Sequence, residues 1–92
     1  MMTHKIKIDK AYADAVLSGE KPFEVRKNDR GYQKGDCVEF QVMDGMLKDQ
    51  FHKLNDKRYE ITYVLGSFVG LADNYVAFGI REVWSNEKDK KQ

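Results

Sequence analysis

Hydrophobic and polar residues alternate with a period of two in five stretches of the chain, and one stretch between them has a helical period. Alternation of this kind is typical of strands with one buried face and one face in water. The helical stretch, residues 10–18, places Tyr12, Ala13, Val16 and Leu17 on one face. Strands are predicted at residues 4–8, from residue 23 onward, and at residues 37–43, 58–65 and 75–84. This order predicts an α+β fold with a small, mostly antiparallel barrel and one main helix.

Residues 44–57 allow two arrangements. Met46, Leu47, Phe51 and Leu54 recur at helical spacing, which predicts a second short helix within residues 46–55. A long hairpin excursion from the preceding strand is the alternative. In either arrangement, Met46 and Phe51 are expected to cover the barrel.

The first helix and the second strand meet at a sharply defined junction. Asp9 is a good N-cap, because its carboxylate accepts from the unpaired N–H groups that open a helix. Gly19 is expected to end the helix, since glycine adopts a left-handed backbone without a Cβ penalty. Pro22, the only proline, cannot continue the helix and biases Lys21 toward extended geometry. The junction therefore predicts a helix end followed at once by a strand.

The strand after this junction carries Glu24 and Arg26 on one face, and Phe23 and Val25 on the other. Glu24 and Arg26 are expected about 6–7 Å apart along the strand, close to Lys21. Two interpretations are open at this point. Either the charged side chains form a solvated ion pair worth about 0–1 kcal/mol, or they face a cleft and bind a ligand.

The run from Gly19 to Arg26 has the pattern Gly-x-Lys-x-x-Glu-x-Arg. It resembles the signature of the ASCH (activating signal cointegrator homology) domain, a small barrel of the pseudouridine-synthase-and-archaeosine-transglycosylase (PUA) type. The resemblance covers most of the chain from residue 2 to 83, and it points to a bacterial and phage branch catalogued only as a domain of unknown function. Further residues that carry it lie at 4–8, 27–30, 35–36, 63–65, 70–71 and 75–80. The resemblance implies one PUA-like domain over residues 1–84, and a flexible charged tail is expected at residues 85–92.

In such a barrel the motif is expected to face a cleft between the helix and the strands, which implies a module that binds RNA or a nucleotide. Lys21 and Arg26 would donate to phosphate or base oxygens, while Glu24 orients Arg26 or accepts from a base amino group. Single-stranded or looped RNA suits this surface better than duplex, because unstacked bases expose the edges that a cleft reads.

The segment after the motif strand, residues 27–36, is rich in turn formers and cations, and is expected to be a surface loop. Its composition is typical of a rim that contacts phosphates and stacks on bases, although loops are also charged simply because they are wet. His4 falls on the apolar face of the first strand, where a histidine is more often a hydrogen-bonded buried residue than a proton carrier. The predicted ligand-binding set is completed by Lys27, Arg30, Tyr32 and His4, with Phe68 as a second stacking candidate.

An enzyme is the second function that the resemblance implies. Some small bacterial ASCH proteins are amidohydrolases that act on acylated cytidine, and in them the motif lysine works with a threonine nucleophile and a downstream glutamate. Lys21 matches the lysine, but Glu24 stands at the threonine position, and Asp73 and Glu82 are only loose matches to the glutamate. Catalysis by Lys21 and Glu24 would therefore need direct attack by water. A phage or mobile-element protein-interaction module is the third alternative, and the binding module is favoured.

Composition limits these functions. Ninety-two residues suffice for one domain with one small core. A formal net charge of +1 excludes the global basic field that drives non-specific duplex binding. Cys37, the only cysteine, cannot form an internal disulfide, and no apolar run approaches the roughly 20 residues of a membrane span. We therefore expect a cytoplasmic monomer with no membrane partner and no cofactor, and no metal site because Cys and His lack ligand spacing.

Overall fold

The computed structural model describes residues 1–83 of the protein. Its elements follow the predicted order of a strand, a helix and a series of further strands. In chain order they are β1 (Thr3–Asp9), α1 (Lys10–Ser18), β2 (Phe23–Lys27), β3 (Cys37–Asp44), β4 (Leu47–Lys48), a 3-10 turn (Lys53–Asp56), β5 (Arg58–Leu65) and β6 (Tyr75–Val83). The predicted tail at residues 85–92 and the end of the last predicted strand, Trp84, lie outside the described residues.

Within residues 1–83 the strands form a six-stranded mixed sheet in the order β1-β3-β5-β6-β2, with β4 paired to β3. β1 and β3 run parallel, which requires the crossover that α1 and β2 provide, and the other pairs are antiparallel. The sheet curls into a half-barrel whose two end strands are β1 and β2. The predicted α+β class and the mostly antiparallel, barrel-like sheet are confirmed.

The core lies between the inner face of this sheet and α1. Ile6 and Ile8 of β1 are buried while the lysines that flank them are exposed, as the alternation predicts. Ala13 and Val16 are the buried residues of α1, and Leu54 of the 3-10 turn is fully buried. Most of the remaining core side chains come from the long strands: Val38, Phe40, Val42, Tyr59, Ile61, Val76, Phe78 and Ile80.

The helix α1 begins and ends at the predicted caps. The Asp9 carboxylate accepts a hydrogen bond from the Ala11 N–H at 2.9 Å, which satisfies one of the unpaired donors of the first turn. Gly19 has a left-handed backbone with φ of 89°, and its N–H donates to the Val16 carbonyl at 3.1 Å. The chain therefore leaves the helix abruptly and enters β2 within a few residues.

The structure corrects the prediction of a second α-helix within residues 46–55. β3 instead turns back at Gly45, whose φ is 63°, and forms a short antiparallel pair with β4. Asn55 then ties the returning chain to β3, because its Oδ1 accepts from the Val42 N–H at 2.8 Å and its Nδ2 donates to the Asp49 carbonyl at 2.7 Å. These local polar bonds replace helical ones. The hairpin excursion is the observed arrangement.

Met46 and Phe51 do not cover the barrel. They are 94% and 95% exposed, and Leu47 is also exposed, so that Leu54 is the one residue of the predicted apolar stripe that reaches the core. The helical spacing of these side chains belongs to a turn and the short strand β4, not to a helix.

β5 and β6 are irregular opposite the start of β2. The pairing register slips between Ile61 and Tyr63, and Gly79 of β6 lies at this irregularity. A Cβ at Gly79 would lie 2.6 Å from Thr62 Oγ1, which is closer than real side chains approach. The lack of a side chain at Gly79 thus permits the close approach of Thr62.

Candidate functional site

β2 lies with its charged face toward the interior of the half-barrel. Glu24 is 4% exposed, whereas Phe23 and Val25 on the opposite face are 45% and 48% exposed. Glu24 and Arg26 share one face, as the strand period predicts, and Arg26 is partly buried. This orientation reverses the usual preference of a half-buried strand for an apolar inner face. Because burying a carboxylate is costly, its position is explained by the groups around it rather than by packing.

The Glu24 carboxylate lies between two cations. Arg26 Nε donates to Oε1 at 3.3 Å, and Lys21 Nζ lies 3.3 Å from Oε2. The Lys21 contact brings the two charges together without hydrogen-bond geometry, and Oε2 has no hydrogen-bond donor among residues 1–83. Buried polar atoms nearly always have such a donor, so this oxygen retains an unused acceptor position.

The Lys21 ammonium makes further contacts besides the one with Glu24. Its Nζ donates to the backbone carbonyl of Phe23 at 2.9 Å. The same atom lies 5.6 Å from the centroid of the Tyr12 ring and 5.0 Å from that of Phe23. These distances fit cation–π contacts. The ammonium is therefore fixed beside Glu24, with part of its side chain still accessible.

The Arg26 guanidinium spans the gap between the two end strands of the sheet. Its Nη2 donates to the backbone carbonyl of Lys7 on β1, while its Nε bonds Glu24 on β2. β1 and β2 are not paired with each other in the described part of the chain. A planar guanidinium suits two such bonds, because its donors point in fixed directions. Arg26 thereby links the open ends of the half-barrel and orients Glu24.

The gap between β1 and β2 forms a cleft of about 510 Å³, which we call the motif cleft. It combines an ammonium, a guanidinium and a carboxylate with exposed aromatic rings, a mixture that suits a small planar polar ligand. Neither a serine, a threonine nor a cysteine lines it among the described residues, and its hydroxyl groups are the phenols of two tyrosines. The lining residues are Lys7, Ile8, Asp9, Tyr12, Lys21, Phe23, Glu24, Val25, Arg26, Lys27 and Tyr75.

Residues 3–80 match a family model described as "Domain of unknown function (DUF3850)". The chain belongs to this family. A similar protein is the uncharacterized 12.9 kDa protein in the GpA 3' region of Escherichia phage P2, which is 48% identical over 35 residues. The alignment covers 38% of the DUF3850 chain and 32% of the phage protein, so the matched part is about a third of that relative's length.

The fold of the DUF3850 domain is also similar to that of a solved structure, the crystal structure of hypothetical protein PH0355. The two superpose with a TM-score of 0.56 at 15% sequence identity, over 90% of this chain and 100% of the other. At this identity the similarity shows the shared fold and nothing more.

The structure brings part of the predicted ligand-binding set of this DUF3850 protein together. Lys21, Glu24, Arg26 and Lys27 line the motif cleft. Arg30 is exposed and lies outside that cleft, beside residues of β1 and β3. The other two members of the set, Tyr32 and His4, are buried and do not line it.

Tyr32 belongs to the core, which corrects the expectation of an accessible stacking ring. It is 5% exposed, and its ring centroid lies 4.8 Å from that of His4 and 4.7 Å from that of Phe78. Burial raises the pKa of the Tyr32 phenol, an effect that the nearby charge of Arg26 partly opposes. A tyrosine in a charged loop has a large apolar ring, and burying that ring is more favourable than leaving it in water.

His4 of β1 is paired with Asp36, the last residue of the loop that carries Tyr32. The two side chains are buried, and His4 Nε2 lies 2.8 Å from Asp36 Oδ2. Asp36 also accepts from the N–H groups of Met2 and Gln33, each at 3.1 Å. Burial alone would raise the pKa of Asp36, but the hydrogen bonds from His4 and from the two N–H groups hold that pKa below its usual value. His4 thus occupies the hydrogen-bonded, buried position that the sequence favoured for it.

The remaining candidates lie away from the motif cleft. Phe68 is 63% exposed and lines a separate cleft together with Asp73. Glu82 pairs with Lys57 at 3.1 Å. Neither loose match to a catalytic glutamate therefore lines the motif cleft.

Among the lining residues of the motif cleft that the sequence did not identify as site residues are Tyr12, Tyr75 and Lys7. Tyr12 belongs to the apolar face of α1, yet it is 58% exposed because it lies over the open side of the half-barrel. Lys7 contributes its backbone carbonyl, and a side-chain pattern carries no information on such a group. The pairing of β2 with β6, which brings Tyr75 opposite Lys27, is a long-range contact that no local signal predicts.

Among the residues that the structure describes, no three His, Cys, Asp or Glu side chains are grouped so that they could hold a metal ion. No helix in residues 1–83 is both long and apolar enough to cross a membrane.

Proposed function

We propose that the motif cleft binds an unpaired nucleotide, either free or within single-stranded RNA, and that this DUF3850 protein is an ASCH-superfamily member with a PUA-like barrel. The observation that carries the proposal is the buried Glu24 carboxylate, whose Oε2 has no hydrogen-bond donor within residues 1–83. The pattern from Gly19 to Arg26, at the junction of α1 and β2, supports the superfamily assignment.

The charged groups of the cleft suit a nucleobase better than a bare anion. A base amino or imino N–H donates to Glu24 Oε2, and a base carbonyl or a phosphate accepts from Lys21. Arg26 holds the carboxylate in place through Nε. A site for phosphate alone gains nothing from a central carboxylate, since the two negative charges repel each other.

The aromatic residues of the motif cleft offer rings on which a nucleobase can stack. Tyr12 and Tyr75 line it and are 58% and 39% exposed, so their rings are accessible to a base. Stacking of a base on such a ring is worth about 1–3 kcal/mol in comparable single-strand sites. An unpaired base is the ligand, because a base inside a duplex exposes neither its face nor its pairing edge.

Hydrolysis of a modified nucleoside would need another mechanism than attack by a hydroxyl nucleophile. The position expected for the threonine is Glu24, and the motif cleft offers the phenols of Tyr12 and Tyr75 as its only hydroxyl groups among the described residues. We therefore propose binding, and we treat conversion of the ligand as an outcome to be measured.

An amide-resolved NMR titration tests the proposal. The purified protein is titrated with nucleosides that include acylated cytidine, with nucleoside monophosphates, and with short single-stranded RNAs. We expect shifts that cluster at residues 7–12, 21–27 and 75, and unchanged small molecules afterwards. Shifts confined to other residues, or no shifts with any ligand, would contradict the proposal. Conversion of acylated cytidine to cytidine would show that the function is hydrolysis and not binding alone.

A further inference from the structure

A second cleft lies beside the motif cleft, on the outer side of the sheet. Its volume is about 440 Å³, and we call it the basic cleft. Lys7 and Arg26 line both clefts, so the two are adjacent. The lining residues are Lys5, Ile6, Lys7, Arg26, Arg30, Gln41 and Lys48.

The strand register explains why these cations meet. Lys5 and Lys7 lie on the exposed face of β1, and β1 pairs in parallel with β3 so that Lys7 is opposite Gln41. β4 then brings Lys48 opposite Met43 on the other side of β3. Arg30 joins them from the loop after β2. The period of two thus gathers basic side chains from separate elements on one surface.

Three of the five cations that line the basic cleft are not neutralised by a carboxylate of the described residues. Lys7, Arg30 and Lys48 have no carboxylate within ion-pair distance among the described residues, whereas Lys5 lies 3.6 Å from Glu39. No carboxylate lines the cleft. Some cations elsewhere on the surface are paired, as Lys57 is with Glu82. Since the formal net charge is only +1, this is a local concentration of positive potential.

We infer that the basic cleft binds the phosphate next to the nucleotide in the motif cleft, so that the ligand is a single-stranded oligonucleotide rather than a free nucleotide. The inference rests on the proposed function. Arg26 stands at the boundary of the two clefts, and its Nη1 has no partner in residues 1–83. A phosphate there would accept a hydrogen bond from Arg26 Nη1 and be attracted by the unpaired cations beside it. RNA and DNA share this phosphate chemistry, and the experiment separates them.

The test compares the affinity of a nucleoside with that of pentanucleotides that contain it, as RNA and as DNA, for three proteins. The first protein is the wild type, the second is Arg30→Gln with Lys48→Gln, and the third is Lys34→Gln with Lys53→Gln. The third carries the same loss of two charges at exposed positions outside both clefts. Fluorescence anisotropy or calorimetry at several salt concentrations gives the affinities.

We expect the wild type to bind a pentanucleotide at least about tenfold more tightly than the nucleoside, with an affinity that falls as salt rises. Arg30→Gln with Lys48→Gln should lose about tenfold for the pentanucleotide, keep its affinity for the nucleoside, and show a smaller salt dependence. Lys34→Gln with Lys53→Gln should behave as the wild type. The pentanucleotide that binds more tightly, RNA or DNA, identifies the sugar of the ligand.

Three results would overturn the inference. If the nucleoside binds and the pentanucleotide binds no more tightly, the basic cleft does not bind the neighbouring phosphate, while the proposed function stands. An equal loss in both double variants would show a general charge effect rather than a site. If neither ligand binds the wild type, the proposed function fails and the inference falls with it.

Discussion

Arg26 on β2 donates a hydrogen bond to the backbone carbonyl of Lys7 on β1, across the gap where the sheet does not close. The same guanidinium bonds Glu24, so one side chain links the open ends of the half-barrel and orients the buried carboxylate of the motif cleft. The motif is therefore a structural bridge as well as a candidate binding site.

Arg26→Lys should destabilise the protein although the charge is kept. A lysine ammonium cannot bond Glu24 Oε1 and the Lys7 carbonyl in the same directions, so the free energy of unfolding should fall by about 1–3 kcal/mol. Urea denaturation measures it. Arg81→Lys is the matched control, because Arg81 pairs with Glu60 on the exposed surface, and it should cost less than about 1 kcal/mol. Equal losses in the two variants would contradict the bridging role.

The orientation of β2 can be tested with two identical substitutions. Val25→Thr should change the free energy of unfolding by less than about 0.5 kcal/mol, because Val25 is 48% exposed. Val42→Thr places a hydroxyl at a position with 0% exposure and should cost about 1–3 kcal/mol. Thermal or urea denaturation compares the two. A large loss from Val25→Thr would mean that the apolar face of β2 is the buried one.

The buried His4 and Asp36 pair should make stability depend on pH. Since the folded pKa of Asp36 lies below its ordinary value of 3.8, the carboxylate contributes stability that is present above that value and is lost as pH falls through the lower folded pKa. Asp36→Asn should therefore lower the free energy of unfolding at pH 7, and its difference from the wild type should shrink in acid.

Urea denaturation between pH 7 and pH 3 measures the Asp36 effect. Asp44→Asn is the control, because Asp44 is exposed at the end of β3 and should give a small difference at every pH. A difference between Asp36→Asn and the wild type that stays constant down to pH 3 would show that the Asp36 pKa is not lowered by folding.

Gly79→Ala should destabilise the sheet where β5 slips its register. The added methyl would lie 2.6 Å from Thr62 Oγ1, which forces a shift and should cost about 1–3 kcal/mol. Combining it with Thr62→Ala removes the clash, so a double-mutant cycle should show that much of the loss is recovered. Strictly additive losses in denaturation experiments would contradict the close contact.

The parts of the fold that follow local rules were predictable. Asp9 and Gly19 have distinct backbone roles at the helix ends, and both occur where the sequence places them. The alternation around Ile6 correctly separated inner from outer residues of β1. These predictions succeed because capping and strand period depend on residues that are close in sequence.

The direction of the motif face was not predictable. The strand period shows that Glu24 and Arg26 share a face, but whether that face points inward depends on the pairing of β2 with β6, far away in sequence. The prediction of an accessible Tyr32 ring was wrong for a related reason, since the burial of this ring depends on contacts with His4 and Phe78. At Met46 a helical spacing occurred by chance in a hairpin turn.

If the inward Glu24 carboxylate accepts a hydrogen bond from a nucleotide in the motif cleft, the affinity for that nucleotide should depend on the charge of Glu24. The most direct measurement is the calorimetric affinity of the four nucleoside monophosphates for the wild type, Glu24→Gln and Glu60→Gln. Thermal denaturation accompanies it, to confirm that each variant is folded. Glu60 is the control, because it pairs with Arg81 outside the cleft.

We predict that at least one nucleotide binds the wild type and Glu60→Gln equally, and that folded Glu24→Gln binds it about tenfold or more weakly, since a charged acceptor is lost. Equal binding of that nucleotide to folded Glu24→Gln and to the wild type would show that Glu24 does not accept a hydrogen bond from it.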